Sequence, residues 1–549
     1  MIVGTTTLYD TLRLCTLYCT QKAVQGQPPH PAPPLATMAS IPTAAAADSS
    51  NPKLSLPADA GGGGPRAAAS TTDRDTTVQT PLWTPQEITT ATHGRLTSDV
   101  ATWHATGVSI DSQTCKPGDL FVAISGDQLD GHDFVAQALD AGACGALVSR
   151  VPGGFNTNAP LVMVDDCMEA LVALGRAARD RTDASVIAIT GSVGKTGTKE
   201  ALALAFGALG TTHATHGNFN NHLGVPLTLA RLPRDTEFAV IEMGMNHPGE
   251  ISELSKLARP DVAIITTIAA AHLEFFDSIA AIAEAKAEIF DGMSPGSVAI
   301  LSRDNAHFAI LASRAWAHGL EQVLGFGAHP EADAQLSACV LNEGSSDVTA
   351  NVDDRVVRYS LNVPGRHWVH NTLAVLACVH ALDGDVDLAA AALGELEVSK
   401  GRGARIDVLM IDGGSLTVID DTYNASPASM RAAIAVLAGT MPKAGGRRIA
   451  VLGDMLELGE TAPQLHAALA HDLEAGNIDL VFSAGPNMAS LDAALPAAMR
   501  GAHAIDSETL AVAVANSVHS GDIVMVKGSR GSRMNIPVET LTALDVRKG

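Results

Sequence analysis

The segment Ile187–Lys199, IAITGSVGKTGTK, constrains the fold more than any other part of the chain. Val186 to Thr190 has the length and β-branched character of a buried strand. From Lys199 onward apolar residues recur with helical spacing. A strand that feeds a helix through a glycine-bearing loop makes an anion site. Gly191 and Gly194 let backbone N–H groups approach closely, and the helix N-terminus adds partial positive charge. Ser192, Val193 and Gly197 complete the loop, Lys195 would neutralise phosphate oxygens, and the Thr196 hydroxyl would reach a bound Mg²⁺. The full phosphate-loop pattern is not met, because Ile189 stands where its first glycine belongs. The bland alternative is an ordinary glycine-rich turn, but the order strand, Gly-Lys-Thr, helix favours a nucleotide.

At 549 residues the chain exceeds one core and implies about three domains. Residues 1–81 are rich in proline, with a Gly61–Gly64 run and alanine tracts, and are expected to be a disordered low-complexity extension. Met38 offers an alternative start within them. Residues 82–183 read as a small α/β domain, with a strand near Asp119–Ser125 and helical patterns over Phe134–Ala141 and Cys167–Arg179. In residues 184–403, apolar strands (Val186–Thr190, Phe238–Met243, Val262–Thr267, Ser297–Leu301) alternate with helices. That order predicts a parallel sheet with right-handed crossovers. Residues 404–549 form a second, Rossmann-like α/β series (Leu416–Asp420, Arg448–Leu452, Leu480–Ser483, Ile523–Lys527), whose strands end in loops suited to a ligand. The fold class is therefore α/β, with a P-loop-type central sheet between two smaller units.

The net charge of −23 argues against a nucleic-acid partner, since phosphate backbones demand clustered Lys and Arg. The 7 cysteines form no CxxC pair, which fits a reducing cytoplasm and no zinc site. No run of 18 apolar residues exists to span a membrane.

Glu242 ends the apolar strand FAVIE, where a carboxylate beside a phosphate loop can hold Mg²⁺; capping the next helix, Pro248–Leu257, is the alternative. His272, a single histidine in AAAHLEF, carries no argument alone. Lys286 occupies an apolar-stripe position in the helix expected over Ser278–Asp291. Either its stem packs while the ammonium snorkels to an acid such as Glu274, or it is an ammonium of lowered pKa that acts or is modified in a site. Asn220 and Asn221, in GNFNNHLGVP, suit an oxygen-rich substrate or a helix cap. In GRHWVHN, ahead of a helix expected over Thr372–Leu382, Asn371 could read a base edge and Arg366 or His367 could contact phosphate.

TGSVGKT, EMGMNHPGE, AHLEFF, EAKAEIF, GRHWVHN, DDTYNASPASM, LGDMLELG and VKGSRG, in this order, resemble the motifs of the Mur ligases of bacterial cell-wall synthesis, from about residue 82 to the C-terminus. The resemblance implies a three-domain, ATP-dependent, ADP-forming amide ligase. GNFNNHLGVPLTL and DDTYNASPASM are similar to the branch that joins D-alanyl-D-alanine to UDP-N-acetylmuramoyl-tripeptide. The DNPR-type motif of the diamino-acid-adding branch is lacking, as is the NKxD motif of GTPases. A folylpolyglutamate-synthase-like ligase would lack the unit at 82–183, and a nucleotide-gated interaction protein is the non-enzyme alternative. The resemblance further implies ATP at Gly191–Gly197, Asn305, Asn371 and Arg402, with Asn305 and Asn371 near the adenine. It implies Mg²⁺ at Thr196, Glu242, His272 and Lys286, with Lys286 carbamylated, and catalytic roles for Lys195, His272 and Lys286. Ser112, Gln113, Asn220, Asn221, Asp421 and Asn424 would bind the substrates, and the Asp130-Gly-His132 turn would face the UDP-sugar. A cytoplasmic monomer acting on small molecules is expected. Three positions depart from the family pattern: Gln113 for an arginine, Thr267 for an asparagine, and Asn535 for a glutamate.

Overall fold

Three β-sheets follow one another along the chain in a computed structural model that describes residues 81–98, 102–126, 128–155, 159–271 and 273–548. The proposed extension and His272 lie outside the described residues. The first sheet contains β1 (Arg95–Leu96), β2 (Gly107–Ser109), β3 (Asp119–Val122), β4 (Gly145–Val148) and β5 (Leu161–Met163), in the order β1-β5-β4-β3-β2. Its pairings are parallel except at the β1 edge. The helix Cys167–Asp180 buries Leu171 and Leu174, and Asp166 caps it by accepting from the N–H groups of Met168 and Glu169. This unit attaches to the next through Trp83, whose indole N–H donates to the Ala230 carbonyl at 2.8 Å while the Arg181 guanidinium lies 3.8 Å above its ring.

The second sheet has nine strands: β6 (Ser185–Thr190), β7 (Thr212–Ala214), β8 (Phe238–Glu242), β9 (Val262–Ile265), β10 (Val298–Ser302), β11 (Gln322–Gly327), β12 (Ala334–Leu341), β13 (Ser346–Val352) and β14 (Arg355–Leu361). In the order β14-β13-β12-β11-β10-β9-β6-β8-β7, the strands from β7 to β12 run parallel, as the alternation of strands and helices requires. The sheet then continues beyond the expected parallel series. β12, β13 and β14 form an antiparallel meander, closed by a tight turn in which Asp353 and Asp354 both adopt positive φ, at 47° and 61°. The central strands β6 and β9 are buried on both faces, so they read as continuous apolar runs.

The third sheet holds β15 (Ala404–Leu409), β16 (Ser415–Asp421), β17 (Arg448–Gly453), β18 (Leu480–Ala484), β19 (Arg500–Ala504) and β20 (Ile523–Lys527), in the order β15-β16-β20-β17-β18-β19. Only β15 runs antiparallel to its neighbour. The strand order reverses between β16 and β17 on either side of β20, so the carboxyl ends of β16 and β20 open onto a crevice.

Several expected boundaries shift. The helix after the glycine loop begins at Lys195, because Gly194, at φ 91°, takes the N-cap position. The helix expected from Thr372 begins at Arg366, directly after Gly365 at φ 119°. The single helix expected over Ser278–Asp291 is an α-helix, Ile279–Ala287, that tightens into a 3₁₀ segment, Glu288–Gly292.

Candidate active site

The carboxyl ends of β6 and β8, the N-terminus of helix Arg366–Ala381 and the loops after β16 and β20 enclose a cleft of about 800 Å³, within the range of small-molecule sites. Its floor is the glycine loop. Ile189 lies inside β6, paired with Glu242 of β8 and Ile264 of β9, so the loop opens two residues later, at Gly191. Gly191 has φ 149°, and a Cβ there would meet the Thr266 hydroxyl at 1.9 Å. The Thr266 hydroxyl donates to the Val193 carbonyl at 2.6 Å, and the Ser192 hydroxyl donates to the Ala269 carbonyl at 3.0 Å. Together these bonds tie the loop to the end of β9. A Cβ on Gly194 would touch the Asn371 side chain at 3.0 Å, and one on Gly197 would strike the Trp368 ring at 2.8 Å. Asn371 thus packs against the loop itself. Asn305, expected beside it, is held by donating to the Thr267 hydroxyl and the Ile268 carbonyl, both at 2.9 Å. Both asparagines line the cleft.

Lys195 folds back to donate to the Gly191 carbonyl at 2.7 Å. Burial lowers its pKa, and the nearby Glu242 carboxylate offsets part of that effect. The Thr196 hydroxyl donates to Glu242 Oε1 at 3.2 Å and accepts from the Arg402 guanidinium at 3.1 Å, with Arg402 seated 3.8 Å above the Tyr423 ring. Asn220 also donates to Glu242 Oε1, at 2.7 Å. Glu242 is 1% exposed, yet its Oε2 has no hydrogen-bond partner among the described residues. Helix capping leaves that unexplained. An orphaned carboxylate oxygen beside a phosphate loop and a threonine hydroxyl is the donor set that a hard cation takes, so these residues fit Mg²⁺.

Lys286 is 1% exposed, which excludes snorkelling to Glu274 or any other surface acid. Burial, with the charge of Lys195 nearby, holds its pKa well below the ordinary lysine value. The stripe position read from the sequence therefore points inward, toward the cradle lysine.

Across the cleft, the Lys527 ammonium is 2.8 Å from Asp421 Oδ2 and donates to the Asn424 carbonyl at 2.8 Å. Burial raises the Asp421 pKa, and Lys527 works against that rise. His367 lines the cleft, and partial desolvation there, with the charge of Lys527, lowers its pKa to about 4, so its imidazole is neutral near pH 7. Asn221 lines the cleft too, accepting from the N–H of Gly224 to cap the next helix.

Ser112 and Gln113 fall outside this cleft. Ser112 is buried and donates to Gln137, while Gln113 is exposed and its N–H donates to Asp111. His132 uses both ring nitrogens internally, with Nδ1 on Asp130 at 2.6 Å and Nε2 accepting the Ser149 N–H at 3.0 Å. Asn535 pairs with Glu539 within its own helix. Sequence reasoning passed over Lys199, Thr215 and Thr266 as site components, and left Tyr423 and Lys527 without roles although both stand in quoted motifs.

A glycine loop of phosphate-cradle type and a buried carboxylate, facing the loops of a second α/β unit, are the parts of a nucleotide-using enzyme. The chain belongs to the Mur ligase family. Family models match in three blocks: the Mur ligase family catalytic domain over residues 104–176, the Mur ligase middle domain over 189–379, and the Mur ligase glutamate ligase domain over 404–530. UDP-N-acetylmuramoyl-tripeptide--D-alanyl-D-alanine ligase of Escherichia coli is 35% identical over 438 residues, covering 79% of this chain and 93% of the relative. The Bacillus subtilis protein of the same name matches equally, at 35% over 438 residues, again 79% and 93%. Among solved structures, MurF from Acinetobacter baumannii superposes with a TM-score of 0.73 at 31% identity, covering 84% of this chain and 99% of that one. MurF ligase from Thermotoga maritima in complex with ADP gives 0.67 at 28% identity, covering 81% and 98%.

Proposed function

We propose that this chain is the ATP-dependent ligase that joins D-alanyl-D-alanine to UDP-N-acetylmuramoyl-tripeptide, giving the pentapeptide precursor of peptidoglycan, ADP and phosphate. The observation that carries the reading is the juxtaposition, in one cleft, of the Gly191–Thr196 cradle and the orphaned Glu242 oxygen with the Asp421–Lys527 side of the last sheet. Domain limits at 82–183, 184–403 and 404–549 follow from the same reading. So do a cytoplasmic location and a monomeric state; among the described residues no helix is long and apolar enough to cross a membrane.

A carboxylate is a poor electrophile, so the γ-phosphoryl of ATP first passes to the terminal carboxylate of the tripeptide. The cradle N–H groups and Lys195 hold and neutralise the phosphate oxygens, the main catalytic need in phosphoryl transfer. Thr196, Glu242, His272 and Lys286 would hold Mg²⁺, which supplies further charge neutralisation when bound. Arg402 leaves Thr196 for the phosphates, and Asn305 and Asn371 border the base. Lys286 fits this set as a carbamate. Burial beside a second cation disfavours its ammonium, and the free amine would add to CO₂ and release a proton, giving a carbamate anion that both Lys195 and a metal favour. The free amine of D-alanyl-D-alanine, lodged against Asp421 and Asn424, then attacks the acyl phosphate and phosphate leaves. Acyl phosphates hydrolyse readily, so closure of the last unit over the cleft must exclude water. Asn220 and Asn221 border the UDP-tripeptide on the cradle side, while Ser112 and Gln113 would meet its UDP end.

Phosphate release measured with UDP-N-acetylmuramoyl-tripeptides, with and without D-alanyl-D-alanine, tests the reading. Turnover requires both substrates; ATP hydrolysis indifferent to either one overturns it.

A further inference from the structure

Lys199 lies in the first turns of helix Lys195–Gly207 and is 1% exposed, among the largest fully buried side chains of the protein. A buried ammonium carries a desolvation penalty that a leucine or methionine would avoid, so its contacts need a reason. Its Nζ donates to the Thr215 carbonyl at 2.9 Å and the Gly217 carbonyl at 3.1 Å, and meets Glu200 Oε1 at 2.6 Å. The two carbonyls begin the loop that carries Asn220. The Thr215 N–H donates to the Val240 carbonyl of β8 at 2.9 Å, and the loop grips the end of that strand in three further places. The Thr215 hydroxyl accepts the Glu242 N–H at 3.0 Å, Asn220 Nδ2 donates to Glu242 Oε1 at 2.7 Å, and the Asn220 carbonyl accepts the Gly244 N–H at 2.7 Å.

We propose that Lys199 is a positioning residue: by clamping the start of the 215–221 loop onto the cradle helix, it fixes Asn220, and through Asn220 the rotation of the Glu242 carboxylate. The proposal rests on the reading of Glu242 as a metal ligand. Charge-assisted bonds to two carbonyls are the stiff part of the relay. With Oε1 taken by Asn220 and Thr196, the orphaned Oε2 is held in one direction. Without the ammonium, residues 215–217 lose their anchor to the helix, Asn220 loosens, and the carboxylate turns away.

The test measures Mn²⁺ binding to the enzyme–ADP complex by electron paramagnetic resonance, beside calorimetric binding of metal-free ADP and the melting temperature. Lys199→Met keeps the length of the stem. The expected result is a Mn²⁺ affinity at least tenfold weaker, with metal-free ADP affinity within twofold of the unaltered protein. A merely structural lysine would lower the melting temperature and leave the folded fraction with unchanged Mn²⁺ affinity, which overturns the proposal. Glu242→Gln separates the two readings. If it binds Mn²⁺ like the unaltered protein, the metal-ligand reading itself falls. If it loses Mn²⁺ while Lys199→Met does not, only the positioning role falls. Should Lys199→Met fail to fold, Asn220→Ala cuts the same relay at its far end and must show the same loss; an unchanged Mn²⁺ affinity there refutes the relay.

Discussion

Gly191→Ala probes the cradle at its tightest point, and its effect can be worked from the geometry. The new methyl would sit 1.9 Å from the Thr266 hydroxyl, so Thr266 must rotate and release the Val193 carbonyl, to which it donates at 2.6 Å. Loss of that hydrogen bond costs about 1 kcal/mol. The backbone is at φ 149°, which alanine adopts only under strain of about 1–3 kcal/mol. The total of about 2–4 kcal/mol is relieved if the empty loop relaxes, and is then charged to the nucleotide that forces it back. At about 1.4 kcal/mol per decade, the dissociation constant for Mg·ADP rises by up to about 30- to 700-fold. Calorimetric titration reads this, and a double-mutant cycle with Thr266→Ala separates the two causes. Removing the hydroxyl removes the clash, so Gly191→Ala should cost less in the Thr266→Ala background. A Kd within about threefold of the unaltered protein, or the same penalty in both backgrounds, would refute the reasoning.

Lys195→Ala should cut ligation by about 100-fold or more while leaving the melting temperature nearly unchanged, because the ammonium donates to a carbonyl of its own loop rather than to the core; substrate-dependent phosphate release checks it. Lys286→Ala should be nearly inactive and regain turnover with millimolar formate or acetate if the lysine works as a carbamate. Absence of rescue, together with an unmodified intact mass in active protein, counts against it. His213, whose Nε2 is 2.9 Å from the Thr228 carbonyl, has a pKa lowered by burial. The unfolded chain therefore takes up a proton near pH 6.5 that the folded chain refuses, and stability falls as pH drops below that value. His213→Gln should show a flatter decline in melting temperature over that window; parallel curves would exclude the effect.

The sequence disclosed what is written locally. Strand β20 matches its expected limits, and the Gly191–Thr196 cradle was legible because loop, charge and helix follow in nine residues. Lys286 was visible as a break in an apolar stripe, but the stripe left open whether its ammonium snorkels outward, and burial decides that. The antiparallel meander was not read, because β13 and β14 alternate buried and outward residues (SDVTANV, RVVRYSL) where the expected series rested on continuous apolar runs such as β6, although Asp353-Asp354 is a fair turn signal. What pairs across the fold left no local trace. Thr266 over Gly191, Lys527 on Asp421 and Arg402 on Thr196 join residues 75 or more positions apart, and only the sheet order brings them together. The role of Lys199 was hidden because a lysine near a helix start reads as a solvated one.

The margins of the three sheets bear on how such a chain escapes entanglement with itself while it is being made. Parallel interiors expose long rows of unpaired amides until neighbouring strands arrive, and three of them in one polypeptide invite cross-pairing. β1 has 2 residues, and β2 and β7 have 3 each, too short to template a foreign strand. β14 presents Arg355 and Arg358 outward, and β15 ends its sheet with reversed polarity and outward Arg405 and Asp407. Five of the six sheet edges, all but β19, thus offer little for a strand of another sheet to pair with while the chain is being made.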